Sequence, residues 1–209
     1  MEIHPPHAIR SWKDFLVQLL TITAGILIAL SLEGIRESFR DRALVREARE
    51  NIRREIADNV RELDDEIAHM DERGKKLDTA RRLAADLLKT KRTDIHQFDL
   101  GLTFPTLSAA SWQTAERTGA FAHMDYAEVQ KYANIYDFQN FLTQQHSRAF
   151  DALSAALGIL AASEDGDPTK APPADIERFR QQIVTLRSII FVEEQMARTA
   201  SERYKKALE

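Results

Sequence analysis

The chain has no cysteine, and among its 209 residues only seven are glycine and six proline. Without cysteine there is no disulfide framework, no thiolate metal site and no cysteine nucleophile. The prolines stand at 5, 6, 105, 168, 172 and 173, outside the apolar-periodic stretches, so long uninterrupted helices are expected. An excess of basic charge is also missing. Formal net charge is −4, and between Glu33 and Asp94 there are 16 basic and 16 acidic residues. An even mixture of this kind makes a solvated, ion-paired helix surface and argues against a nucleic-acid partner. What is present is 44% apolar and 30% charged residues, the balance of a folded chain.

The first long feature is the uncharged run Phe15 to Leu32, FLVQLLTITAGILIALSL. As a helix, 18 residues span roughly 27 Å, close to the ~30 Å hydrocarbon thickness of a bilayer. The reading is a polar lead (1–14), a transmembrane helix (15–32) and a soluble helical domain (33–209). Trp12 and Lys13 suit a membrane–water interface, an amphipathic ring beside a cation that can snorkel. Ala29-Leu30-Ser31 offers the small-x-small pattern of a cleaved signal, but the apolar run exceeds the usual signal core of about 7–15 residues. One face of the span carries Gln18, Thr21, Gly25 and Ala29. Small residues allow close helix approach in lipid, and Gln18 can hydrogen-bond across such a contact, so this face is assigned to helix–helix contact.

Sidedness rests on Lys and Arg near the span. Arg10 and Lys13 precede it, whereas Arg36, Arg40, Arg42, Arg46 and Arg49 follow within about 20 residues, which leans the soluble domain towards the cytoplasm.

Beyond the span the expected fold is all-α: the transmembrane helix continues into a long helix over about 33–92, with an antiparallel helical bundle folded back on it. Apolar residues on the long helix fall at Leu44, Ala48, Ile52, Ile56, Val60, Leu63, Ile67, Met70, Leu77, Ala84 and Leu88. Steps near four favour a bundle stripe over a sustained heptad coil. Gly74 reads as a kink or break. Residues 93–106 interrupt the helical pattern, with Leu102-Thr103-Phe104 as a short extended piece. A short helix at about 107–118 takes Thr106 or Ser108 as N-cap, Trp112 as a core anchor and Gly119 as its C′ residue. Asp125 and Glu128 read as a capping pair for a helix over about 126–162. Its aromatic start holds Tyr126, Tyr132, Tyr136, Phe138 and Phe141; further on, Phe150, Leu153, Leu157 and Leu160 share one face. The last helix, about 174–207, presents Ile176, Phe179, Ile183, Leu186, Ile190, Ala197 and Tyr204 to the core. Within it Ile189, Ile190, Phe191 and Val192 are apolar all round, expected to be deeply buried or to contact a partner.

At GILIAL (25–30), LVREARENIRREIADNVREL, SWQTAERTGAF (111–121) and YANIYDFQ (132–139), the chain resembles a group of uncharacterised bacterial single-span membrane proteins. The resemblance implies an N-terminal span and a charged helical domain holding a Trp-containing small helix and a Tyr-rich helix. It brings no catalytic or ligand residues. Many members carry a more basic lead, which implies an extracytoplasmic domain and opposes the charge count above.

Three constellations bear on chemistry. Glu62, Glu66 and His69 share a helix face, and Glu66 to His69 has the Glu-x-x-His spacing of bundle di-metal sites, but no second copy exists. His4 and His7 flank Pro5-Pro6 and could meet a metal or pigment near the interface. Ser111, His123 and Asp125 are triad residue types without a nucleophile-elbow sequence. None supports a catalytic, metal or cofactor assignment. The expected function is therefore that of a non-enzymatic accessory or scaffolding subunit in the bacterial inner membrane. Its partners would be lipid and either another membrane protein or a second copy. A ligand-sensing bundle with a closed pocket lined by Tyr126, Tyr132 and Tyr136 is the alternative; a metal-dependent enzyme ranks third.

Overall fold

The computed structural model describes residues 12–90, 100–101, 103–162 and 167–209. Among these residues the structure is helical, without strands. In chain order come α1 (Trp12–Thr90), α2 (Ala110–Arg117), a 3-10 turn (Ala120–His123), α3 (Tyr126–Ala161), a short 3-10 turn (Pro168–Lys170) and α4 (Pro173–Leu208). The chain divides into two compact units, Met1–Glu47 and Ala48–Glu209. The all-α architecture is the one expected. Leu102 and His4 and His7 lie outside the described residues.

In the first unit the described part is helix throughout, and its apolar side chains are exposed as far as Phe39, with Val17 64% and Leu20 67% accessible; near its end Leu44 is half-buried and Val45 buried. Two polar side chains fold back on the helix itself. Thr21 Oγ1 donates to the Val17 carbonyl at 2.9 Å and Ser31 Oγ to the Leu27 carbonyl at 2.7 Å. This local bonding satisfies both hydroxyls within the helix.

The second unit packs the remainder of α1 with α3 and α4. Paired residues give the directions. Arg49 meets Glu128 and Asn59 meets Gln139, so α3 runs parallel to α1. Arg53 meets Leu208 and Asp64 meets Ser201, so α4 runs antiparallel to α1; Gln139 with Tyr204 and His146 with Glu193 set it antiparallel to α3. The sequence reading did not separate these directions. Nineteen residues separate α1 from α2, a reach of at most about 60 Å, which covers the roughly 50 Å of α1 from Thr90 back to Glu55 and so permits the parallel pair.

From Ala48 the buried positions of α1 are Ala48, Ile52, Glu55, Asn59, Leu63, Glu66, Met70, Arg73, Leu77, Ala80, Ala84 and Leu87, with Ile56 and Gly74 beside them. They advance by threes and fours, averaging about 3.5 residues, which is a heptad seam. Apolar positions alone gave steps near four because four seam positions are polar: Glu55, Asn59, Glu66 and Arg73. Val60, Ile67 and Leu88 are half-buried flanks. Gly74 does not break the helix. A Cβ there would stand 3.2 Å from Arg187 Nη2, so the missing side chain leaves room for an α4 arginine crossing towards Asp78.

α3 corrects another expectation. Its buried face in the second half is Ala149, Ala152, Leu153, Ala156 and Leu160, whereas Phe150 and Leu157 are 59% and 44% exposed. The small residues allow α3 to approach α4 closely, opposite Phe179, Ile183 and Leu186, which are fully buried. The core face of α4 matches the expected residues throughout.

Candidate functional site

Two polar layers cross the interior of the second unit, and they differ in how well their groups are matched. The first is built on Glu55 and Asn59. α2 begins after Ala109, which offers no capping side chain, so its first amides need partners from elsewhere. Glu55 supplies them across the bundle. Its Oε2 accepts from Ser111 N at 2.8 Å and from Ser108 Oγ at 2.7 Å; its Oε1 accepts from Tyr136 OH at 2.7 Å and Trp112 N at 3.4 Å. A carboxylate at a helix N-terminus also meets the positive end of the helix dipole. Asn59 pairs with the Ser108 backbone both ways, donating to its carbonyl and accepting from its N–H at 2.8 Å each. Gln139 and Tyr204 close the network. Burial and the Glu55 carboxylate push the Tyr136 phenol up, so it stays a donor. Trp112 is half-buried, stacked on Tyr136 at 5.1 Å and tilted against Phe121 at 4.4 Å. This layer fixes the SWQTAERTGAF segment to the bundle and is structural.

The second layer joins three helices: Glu66 and Arg73 from α1, His146 from α3 and Glu193 from α4. Their side chains are 3%, 5%, 10% and 1% accessible, respectively. Arg73 Nη1 donates to Glu66 Oε1 at 2.8 Å and Nη2 to Glu193 Oε1 at 3.5 Å. His146 Nε2 lies 3.2 Å from the same Glu193 oxygen without hydrogen-bond alignment. Phe104 covers the layer, its ring 5.1 Å from the Arg73 guanidinium and 5.7 Å from His146. Among the described residues four buried atoms have no hydrogen-bond partner: Glu66 Oε2, Arg73 Nε, His146 Nε2 and Glu193 Oε2. Burial and the neighbouring Glu66 push the Glu193 carboxyl well above the usual carboxylate range, with Arg73 opposing. Burial lowers His146, which favours the neutral imidazole. Outside this layer a surface groove of about 480 Å³ ends on His146, between Phe104, Pro105 and Thr106 on one side and Thr143 and Ser147 on the other.

Glu66 belongs to the layer, but the histidine that joins it is His146. His69 is exposed, with Nδ1 2.8 Å from the Asp65 carbonyl, and Glu62 is exposed as well. Local spacing on one helix could not reveal partners on two others. A signal did exist in the sequence. Glu193 interrupts the otherwise apolar face Ile190, Ala197, and His146 sits between Leu142 and Ala149, both at core register.

The remaining expected residues take these places. Gln18, Thr21, Gly25, Ala29, Trp12 and Lys13 are exposed on α1. A Cβ on Gly25 would meet nothing within 4 Å, so its small size answers no need inside this chain. Trp12 stacks on Phe15 at 5.5 Å. The run 189–192 divides: Ile190 is a core residue, 2% accessible and therefore withdrawn from any partner; Ile189 is half-buried against the core; Phe191 and Val192 are 57% and 49% exposed. Helical geometry turns four successive residues through more than one face, so the run cannot act as a unit. Tyr126 is 75% exposed while Tyr132 and Tyr136 are packed in the core, so Tyr126 does not line a closed pocket with them. Asp125 caps α3, accepting from Ala127 N and Glu128 N; Glu128 reaches Arg49 instead of closing a capping box.

Comparison of the chain with protein-family models, curated proteins and solved structures gives no match.

Proposed function

We propose that the chain is a single-pass accessory or scaffolding subunit of a bacterial inner membrane, acting through helix–helix contact in and beside the bilayer. One observation carries this reading. Among the described residues one helix, α1, is long and apolar enough to cross a membrane: an 18-residue window near its N-terminus has mean hydropathy 2.3 and no buried residue. Eleven Phe, Leu, Ile and Val residues lie between Phe15 and Leu32. At −0.3 to −0.6 kcal/mol each they favour insertion by roughly 3–7 kcal/mol, with no charge to oppose it. In water the same surface would be a large exposed apolar patch.

The partner face is Gln18, Thr21, Gly25 and Ala29, where Gly25 leaves a gap that nothing in the chain fills. Thr21 already bonds Val17, which leaves Gln18 as the polar contact across the interface. The excess of arginine after the span favours a cytoplasmic second unit. On the bundle, exposed Phe191 and Val192 offer a separate apolar contact.

The absence of cysteine makes the test simple. Ala29→Cys, introduced alone and oxidised in native membranes, is expected to cross-link the chain to itself or to one membrane protein of fixed stoichiometry. Leu20→Cys, off that face, is expected to cross-link weakly. A chain that stays soluble without detergent, or one that behaves as a clean monomer in several mild detergents and never cross-links, would sink the reading.

A further inference from the structure

We propose that Glu66, His146 and Glu193 form a binding site for a first-row divalent transition-metal ion. The three residues come from three helices and bring one donor atom each to within 4.8 Å of one another. Three of the unpartnered buried atoms in the layer meet at this point: Glu66 Oε2 and Glu193 Oε2, which are acceptors, and His146 Nε2, which is one in the Nδ1–H tautomer. Unmatched acceptors inside a helical bundle are unusual, since most buried polar atoms find a partner. Arg73 takes Oε1 of both carboxylates and leaves both Oε2 atoms over.

Charge points to a cation. With both carboxylates ionised, two face one guanidinium, and the layer would hold one negative charge more than it balances. A proton shared by the carboxylates would answer the charge and join two oxygens, but it leaves the imidazole nitrogen unmatched. A dication meets all three. The donor set, one imidazole nitrogen and two carboxylate oxygens, suits Zn²⁺, Mn²⁺, Fe²⁺ or Co²⁺; Cu⁺ would want sulfur, and Ca²⁺ would want oxygen alone. Bonds of ~2.1 Å place tetrahedral ligand atoms roughly 3.4 Å apart, so side-chain torsions must close the cluster by about an ångström. Arg73 then acts as an outer residue, orienting both carboxylates through hydrogen bonds. The groove reaches His146 from outside, with Phe104 between it and the carboxylates, so a shift of Phe104 would open the way for the ion.

The test uses the full chain in detergent, purified without a polyhistidine tag, stripped with a chelator and titrated with Zn²⁺ alone. One ion per chain is expected, with an upward shift in unfolding temperature. His146→Gln and Glu193→Gln are each expected to weaken binding at least tenfold; His69→Gln, on the exposed face of α1, is expected to leave it unchanged. Helicity by circular dichroism confirms that each variant is folded. Co²⁺ added to the unmodified chain supplies a readout independent of any variant: intense visible d–d bands report tetrahedral nitrogen–oxygen coordination. A Co²⁺ spectrum identical to the aqueous ion overturns the proposal. So does Zn²⁺ binding that survives both site substitutions, or that is lost instead with His4→Gln and His7→Gln.

Discussion

Replacing Glu55 tests whether α2 is held to the bundle from outside. Glu55 accepts from four donors, and two of them, Ser111 N and Trp112 N, are the amides at the start of α2. Glu55→Gln keeps the shape and removes the charge. Its new NH₂ group settles best on the Oε1 side, where Tyr136 OH can turn to accept and only the long 3.4 Å contact to Trp112 N is lost. The oxygen then stays with Ser111 N and Ser108. Hydrogen bonds to a charged group contribute ~1.5–3 kcal/mol and neutral ones ~0.5–1.5. Weakening two strong bonds therefore costs about 2 kcal/mol, and the lost interaction with the helix dipole adds about 0.5 kcal/mol. At 1.4 kcal/mol per factor of ten, α2 should open roughly 30- to 60-fold more often. Amide hydrogen exchange of the full chain in detergent reads this directly. Residues 108–117 should lose protection by that factor, and in a Trp12→Phe background the emission of Trp112 should shift to the red. Glu50→Gln, on an exposed α1 position, is the control. Exchange in 108–117 that changes less than threefold would show that the Trp112 stack alone holds α2, and the capping argument would be wrong.

Two further outcomes follow from the same reasoning. Gly74→Ala should be neutral to stabilising by up to about 1 kcal/mol in thermal unfolding: helix propensity gains about that much, and the crowding atom is the movable end of Arg187; destabilisation above 1 kcal/mol would mean that Arg187 cannot yield. The bidentate Arg49–Glu128 pair holds the Glu128 carboxyl below its ordinary 4.5, so its contribution, about 1 kcal/mol given partial solvent screening, is complete above pH 4.5 and is lost as pH falls through the lowered value. Glu128→Gln should flatten stability against pH in that acid window and nowhere else, which denaturation at a series of pH values would check.

Much of the fold was legible because it rests on local signals. Asp125 announces the start of α3, Gly119, at φ 75°, ends the turn of α2, and the α4 stripe from Ile176 to Tyr204 repeats a pattern that only a helix satisfies. The errors share one cause, which is that hydrophobicity was taken as the mark of burial. On α3, Phe150 and Leu157 lost the core to alanines because helices that approach closely need small contacts. On α1 the heptad seam stayed hidden because a quarter to a third of its positions are polar. The direction of α3 depends on the return of the chain between α1 and α2, and no local pattern encodes that.

The polar seam positions also separate structure from function within the bundle. A buried ion pair contributes little net stability, and well-packed apolar residues of similar volume often do as well or better. The Glu55 layer escapes that objection, since three of the four donors it faces are amides and a hydroxyl at the start of α2 that need an acceptor wherever α2 docks, and the fourth is the Tyr136 hydroxyl. The Glu66 layer does not escape it. Met70 and Leu77 are buried one turn away on the same seam, and leucine at positions 66, 73, 146 and 193 would remove all four unmatched atoms at once. Packing gives no reason to keep a carboxylate pair, an arginine and a neutral imidazole there. Those four groups gain a physical reason only when something positive joins them, and the groove at His146 is where it would arrive.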